Sequence, residues 1–293
     1  MHDLSIIVPV FRDQSNLNIC LDAIISQASS NCDSLEIVVV NNDPGTKIEL
    51  PNLPSLEIKV VNCLTPGSYA ARNTGADAAR GRYLIFLDAD CVPDTHWLEQ
   101  CLYLVSQQEA PDVVGGEVDF IVSERPSGIE AYQAIVGFGQ KENILFRRFS
   151  ATANLLVRRA AFLETGPFNE RLLSGGDREW CWRAFQKGFE VEYDPELTVR
   201  TNPRRRFSQA LVQTRRVAGG RARLSTILAE HKLVPKDLLE PEKDIYGKIG
   251  KIFQASRFSL GLRLRAFLVA IVLKVVHDVE RIRVRLGGQA ERR

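Results

Sequence analysis

Four short apolar runs, LSIIVPV (4–10), LEIVVV (35–40), LEIKVV (56–61) and YLIFL (83–87), are spaced through the first ninety residues. Helix-like stretches separate them, from Asn16 to Ala28 and over 67–81, the second Ala-rich with Gly81 suited to its C-terminal cap. Strands alternating with helices predict an α/β fold, a mostly parallel sheet flanked by helices. The near-continuous apolarity of the runs predicts strands covered on both faces. Beyond residue 110 the alternation weakens. Strands are expected at 112–118 and 152–157, a helix over 178–188 ending at Gly188, and a strand at 189–194. The charged stretch 235–244 sets off a last helical region, so the expected division is a body over 1–225, with halves 1–117 and 118–225, and an appendage over 226–293.

The fourth run leads into Asp88-Ala89-Asp90. Two carboxylates that close repel unless a cation lies between them, and hard oxygen ligands suit Mg2+ or Mn2+. A strand end is also where ligands gather in open α/β sheets. Two plainer or rival readings stand beside this one. The pair could form a turn or helix-capping cluster, and an apolar strand followed by Asp-x-Asp-x-Val also resembles the nucleophile motif of haloacid-dehalogenase phosphatases. In SGGDREW (174–180), two glycines bring Asp177 to the start of a helix, whose dipole favours an ionised acid. An N-cap is the competing role.

The charge is uneven. Residues 250–293 hold ten Lys/Arg against three Asp/Glu, a local +7, while the remainder sums to −5. Six scattered cysteines, Cys20, Cys32, Cys63, Cys91, Cys101 and Cys181, include no Cys-x-x-Cys pair and read as reduced thiols of a cytoplasmic protein. The N-terminus enters a strand at once, which leaves no room for a signal peptide. The longest apolar run, Ala266 to Leu273, is far short of the ~20 residues that span a bilayer.

SIIVPVFRD (5–13), GSYAARNTGADAARGRYLIFLDAD (67–90) and FNERLLSGGDREWCWRAFQKGFEVEYDPE (168–196) together resemble a family 2 glycosyltransferase of the GT-A (Rossmann-like) fold, over roughly residues 4 to 225. The resemblance implies an inverting, metal-assisted transfer from a nucleotide-sugar, a UDP-sugar first of all, to a glycan or lipid-linked glycan hydroxyl. It places Pro9, Val10 and Phe11 against the nucleotide base, with Asp13 at the acidic position after the strand. Asn41 takes the place usually held by an aspartate that reads uracil, keeping an acceptor and adding a donor; Asp43 follows two residues on. Arg72 and Asn73 match an Arg-Asn pair near the nucleotide. Asp88 falls near the ribose or the metal and Ala89 in the same loop, while Asp90 is the metal ligand and Asp177 the catalytic base. Gly176 stands where the family commonly has Glu. Thr201 and Asn202 stand where a metal-binding His is common. A nucleotide-binding protein that has lost turnover is the alternative these departures raise.

Three further features have open readings. The stretch 200–223 holds eight arginines and no acid, either a solvated face or a flap whose Arg215 or Arg216 closes on the diphosphate. Trp180 and Trp182 point different ways on one helix, one into the core and the other toward an acceptor site. Acceptor choice is expected in 118–150. In the tail, Leu264, Leu268, Ile271, Val275, Ile282 and Leu286 form one helical face beside Arg263, Lys274, Arg281 and Arg285. Such a helix over 256–287 suits peripheral contact with an anionic membrane at the cytoplasmic face, packing on the body, or a dimer. No aromatic-basic platform for nucleic acid accompanies it.

Overall fold

The computed structural model describes residues 2–28, 34–51, 56–231 and 244–289. Cys32 and nearly all of the charged stretch 235–244 lie outside them. In chain order the elements are β1 (Leu4–Val10), α1 (Gln14–Ile25), β2 (Leu35–Asn41), β3 (Glu57–Asn62), α2 (Ser68–Ala78), β4 (Tyr83–Leu87), β5 (Cys91–Pro93), α3 (Trp97–Ser106) and β6 (Val113–Phe120). There follow α4 (Gly128–Val136), α5 (Gln140–Arg147), β7 (Asn154–Arg158), α6 (Arg159–Thr165), α7 (Gly176–Gln186), β8 (Val191–Thr201), α8 (Phe207–His231), α9 (Asp244–Gln254) and α10 (Leu260–Arg285). The chain forms two compact units. The first comprises Met1–Val118, Gln140–Glu170 and Gly176–Thr201; the second comprises Asp119–Gly139, Arg171–Gly175 and Asn202–Arg293.

The eight strands run in the order β3-β2-β1-β4-β7-β6-β8-β5. The first four pair in parallel, as their apolar runs predicted. From β4 outward the pairing turns antiparallel, between β4 and β7, β7 and β6, and β8 and β5, so the sheet is mixed. Every residue of β2 and β4 is buried, which fits apolar strands roofed on both faces. Glu36 is the polar exception inside β2. Burial pushes its carboxyl up, but hydrogen bonds from Lys59, Ser5 and the Arg80 N–H prevail and pull it down to about 2. Leu4 stands level with both Leu35 and Tyr83. The carboxyl ends of β1, β2 and β4 therefore emerge at one edge of the sheet.

Two expectations are corrected. The helix expected over 67–81 ends at Ala78, with Ala79 extended, so Gly81 is no cap. A Cβ on Gly81 would lie 2.6 Å from the Ser5 nitrogen and 2.8 Å from the Leu4 carbonyl carbon, and close approach to β1 is what this glycine serves. Trp180 and Trp182 are both core residues, their indoles donating to the carbonyls of Gly166 and Arg147 at 2.8 and 2.9 Å. Neither has a face for an acceptor. Asn154 rivets the antiparallel half: its amide donates to the carbonyls of Leu197 (2.7 Å) and Glu117 (3.0 Å) and accepts from the Trp97 indole (3.0 Å).

In the second unit, α4 opens with a reciprocal capping box between Ser127 and Glu130. Small residues on one face of α10 let the helices close, with Ala266 and Ala270 against Ala131 and Ile252, and Leu273 against Ile129 and Ala210. Among the described residues no helix is long and apolar enough to cross a membrane.

Candidate active site

Asp88 and Asp90 leave the end of β4 and diverge in environment. Asp90 is exposed, whereas Ala89 is buried and the Asp88 side chain is 36% exposed. Asp88 Oδ1 is held by Arg72 Nη2 of α2, a guanidinium only 6% exposed. A buried guanidinium's fork geometry fixes the direction in which that carboxylate points. The Arg72 Nε–H is buried and unbonded.

One turn before Arg72, on the same face of α2, lies Tyr69. Its ring sits under the Arg72 guanidinium at 5.6 Å. Its hydroxyl accepts from the backbone N–H groups of Gly176 (2.9 Å) and Asp177 (3.3 Å) and stands 3.5 Å from Asp177 Oδ1. The first N–H groups of a helix have no partner within it, so Tyr69 caps α7 from another part of the fold. Asp177 Oδ1 also accepts from the Arg178 N–H at 2.9 Å. Burial pushes the Asp177 carboxyl above its ordinary range, against the pull of that N–H and of Arg178 and Arg72. The metal-motif acid and the base candidate are thus tied to one helix face, through Arg72 and Tyr69 respectively.

The departure at Gly176 now has a physical reason. A Cβ there would lie 2.6 Å from Tyr69 Cε2 and 2.7 Å from Cζ. A Glu at this position is incompatible with Tyr69 where it stands. Tyr69 itself escaped sequence reasoning, although its i, i+3 spacing to Arg72 was the available signal.

Most of the remaining expected contacts sit around the same sheet edge, and several are occupied by local structure. Pro9 is half-buried and Val10 buried at the end of β1, and Phe11 lies 5.1 Å beneath the Arg12 guanidinium. Arg12, missed in the sequence, takes a left-handed backbone (φ 52°) and its Nε donates to Asp43 at 2.6 Å. That bond, with the Thr46 hydroxyl, holds Asp43 below its ordinary value. Asp13 caps α1 through the Asn16 N–H. Both ends of the Asn41 amide serve the turn, donating to the Thr46 carbonyl (2.8 Å) and accepting from the Asp43 N–H (3.0 Å). Asn73 clamps the segment before α7, exchanging bonds with the Phe168 backbone and donating to Glu170. Thr201 is buried opposite Cys91, and Asn202 is exposed.

The arginine-rich stretch is mostly helix, since α8 begins at Phe207 and leaves 202–206 irregular. Arg215 and Arg216 lie on α8 in the second unit. The Glu280 carboxyl is held below its ordinary value chiefly by a hydrogen bond from Arg283, with the Arg215 charge adding to it. Arg216 Nε is buried and unbonded. Also in the second unit is a cavity of about 280 Å³. The 118–150 segment gives one wall, including Phe120, Tyr132 and Phe138, and Arg221, Lys248 and Lys274 add cationic groups beside the His277 imidazole, with no carboxylate in the lining.

Two thiols report on the acids. Cys20 and Cys91 are raised far above the ordinary thiol value, by burial first and then by the charges of Asp88 and Asp90. Among the described residues, one three-ligand cluster of metal-binding type exists, His2, Glu36 and Glu57. It lies at the opposite, amino edge of the sheet, and Lys59 and Arg80 already supply its positive charge. Asp90 and the second oxygen of Asp88 offer the hard, charged donors that Mg2+ or Mn2+ takes.

Residues 5–165 match the family model described as glycosyl transferase family 2. Glycosyltransferase AglE of Haloferax volcanii is 35% identical over 224 residues, 74% of this chain and 72% of that one. The pre-mycofactocin glycosyltransferase of Mycobacterium tuberculosis is 25% identical over 67% of this chain and 42% of its own length. Among solved structures, the mannosyltransferase PcManGT of Pyrobaculum calidifontis, in complex with GDP-Man and Mn2+, superposes with a TM-score of 0.62 at 15% identity, covering 96% of this chain and 87% of that one. Residues 1–349 of S. aureus TarS give a TM-score of 0.53 at 14% identity, over 98% and 92%. These neighbours share the GT-A fold.

Proposed function

The chain belongs to glycosyl transferase family 2, and from that premise we propose that it moves a sugar from a nucleotide-sugar, a UDP-sugar first of all, to a hydroxyl of a glycan or lipid-linked glycan, inverting the anomeric centre. The observation that carries this reading is the pair of contacts from α2, Arg72 to Asp88 and Tyr69 to the start of α7 beside Asp177. They bind the two acids of the reaction to one rigid element. Family membership sets aside the phosphatase alternative.

Asp177 takes the proton of the acceptor hydroxyl. A base is most useful when its pKa lies near the working pH, and burial moves Asp177 in that direction. Tyr69 and the Arg178 N–H hold its carboxylate in place, so its proton-accepting oxygen is fixed before substrate arrives. Attack from the face opposite the departing nucleotide inverts the configuration. Arg72 orients Asp88, and Asp90, exposed beside it, would hold Mg2+ or Mn2+. When bound, that ion offsets negative charge on the departing diphosphate. The Mn2+ reported with the Pyrobaculum mannosyltransferase agrees with an ion in this role.

The test is release of nucleoside diphosphate from a panel of UDP-, GDP- and dTDP-sugars with Mn2+. Release that stops with EDTA, with Asp90→Asn and with Asp177→Asn supports the assignment. Release undiminished in Asp177→Asn removes the base. Nucleotide binding without release, across the panel and with acceptors present, makes the chain a binder that has lost turnover.

A further inference from the structure

α10 has two apolar faces. One is buried, where Ala266, Ala270 and Leu273 meet the neighbouring helices of its unit. The other carries Leu264, Leu268, Ile271, Val275, Val279 and Ile282, each between 38% and 61% exposed. At ~100° per residue these six fall within an arc of about 80°, and from Leu264 to Ile282 they run for about 27 Å. Packing on its own unit therefore accounts for the buried face and leaves the second without a function. Scattered exposed apolar residues are ordinary, but a continuous stripe marks an interaction surface.

The flanks identify the partner. Arg263, Arg281 and Arg285 line one side of the stripe, with Lys274, and Arg265 and Arg283 line the other. Lys274 and Arg283 are offset by Asp278 and Glu280, which leaves the arginines at 263, 265, 281 and 285 to set the sign. Long cationic side chains on both edges of an apolar face can reach up past a surface while the face sinks in. We propose that the outward face of α10 docks on an anionic lipid bilayer, lying in the plane of the interface. A second copy of the chain fits less well, because a twofold pairing along this stripe sets arginine edges against arginine edges. No stretch of the helix is apolar enough to insert across the bilayer. The proposal goes beyond the reaction and does not depend on it.

The experiment is co-sedimentation of the full chain with vesicles of phosphatidylcholine alone and with 30% phosphatidylglycerol (about a third anionic, to raise surface charge), at low and high salt, without any sugar donor. The expected result is binding to the anionic vesicles, weakened by salt. Each arginine near such a surface is worth about fivefold. Arg265→Gln, Arg281→Gln and Arg285→Gln together should lose about a hundredfold, and Leu268→Asp with Val275→Asp should abolish binding. Circular dichroism and thermal unfolding of both variants must match the parent, as exposed positions allow. Failure of the folded parent to bind anionic vesicles overturns the proposal. Equal, salt-insensitive binding to neutral vesicles does so as well, and so does a concentration-dependent dimer that Leu268→Asp dissociates while vesicles stay bare. A chain that binds vesicles yet releases no nucleotide leaves this inference standing and sinks the proposed reaction instead.

Discussion

Tyr69→Phe removes one oxygen and keeps the ring. That oxygen accepts from two N–H groups at the start of α7, the Gly176 bond at 2.9 Å being good and the Asp177 bond at 3.3 Å weak. Tyr69 is 6% exposed, so water has little room to take over. Leaving a buried donor without its acceptor costs roughly 1–3 kcal/mol. With one strong bond and one weak one lost, the expected destabilisation is about 2 kcal/mol. At 2–4 °C per kcal/mol for a domain of this class, Tm should fall by about 4–8 °C. The same oxygen fixes the first turn that carries Asp177, and misplacing a reacting group by about 1 Å can cost a hundredfold. Initial-rate measurement of diphosphate release should therefore give a kcat lower by about 10- to 100-fold, with donor KM nearly unchanged because Arg72 and Asp88 are untouched. A variant with parental Tm and kcat within twofold of the parent would refute the argument. A lowered Tm with unchanged kcat would keep the cap and remove Tyr69 as a positioning residue.

Three shorter predictions follow from the same contacts. Gly176→Ala puts a methyl 2.6 Å from the Tyr69 ring, so it should lower kcat at least as much as Tyr69→Phe in the same initial-rate assay. Because burial raises the Asp177 pKa, its proton is held more tightly in the folded chain than in the unfolded one. Its contribution to stability is present below the unfolded pKa and is lost as pH rises through the folded one. Asp177→Asn should therefore raise Tm at neutral pH and not at pH 3, while activity falls by 10²–10⁴. Glu36 has the opposite sign, since its carboxyl is held down at about 2. Its stabilisation, about 3 kcal/mol, is present above pH ~4.3 and lost as pH falls toward 2, so Glu36→Gln should flatten the acid limb of a Tm–pH curve.

The parallel half of the sheet was legible because each strand there announces itself locally. β1, β2 and β4 are near-continuous apolar runs, and the acids after β4 stand out against them. The antiparallel half was not, because β7 joins the sheet between β4 and β6 through pairings that no local pattern encodes. β5 is three residues long, and α4 and α5 are helices of only nine and eight residues. Gly81 misled for a related reason: its need is steric and set by Ser5, 76 residues away in the chain. At the site, Asp88 and Asp90 stand out as an acid pair at a strand end and Asp177 as an acid after two glycines, with their roles implied by the family resemblance, but Tyr69 and Arg12 act through partners distant in sequence. Asn41 and Asp43 lie in NNDPG, a good turn sequence, and the turn uses both side chains.

The two thiols behind the acids turn this chemistry into a clock. A buried thiol raised so far holds almost no thiolate at neutral pH, and alkylating reagents attack thiolates. Reaction at Cys20 or Cys91 therefore counts only the moments when the layer behind Asp88 and Asp90 opens. Slower labelling in the presence of Mn2+ and nucleotide would measure, in seconds and without any sugar transferred, how firmly the loaded cleft is latched.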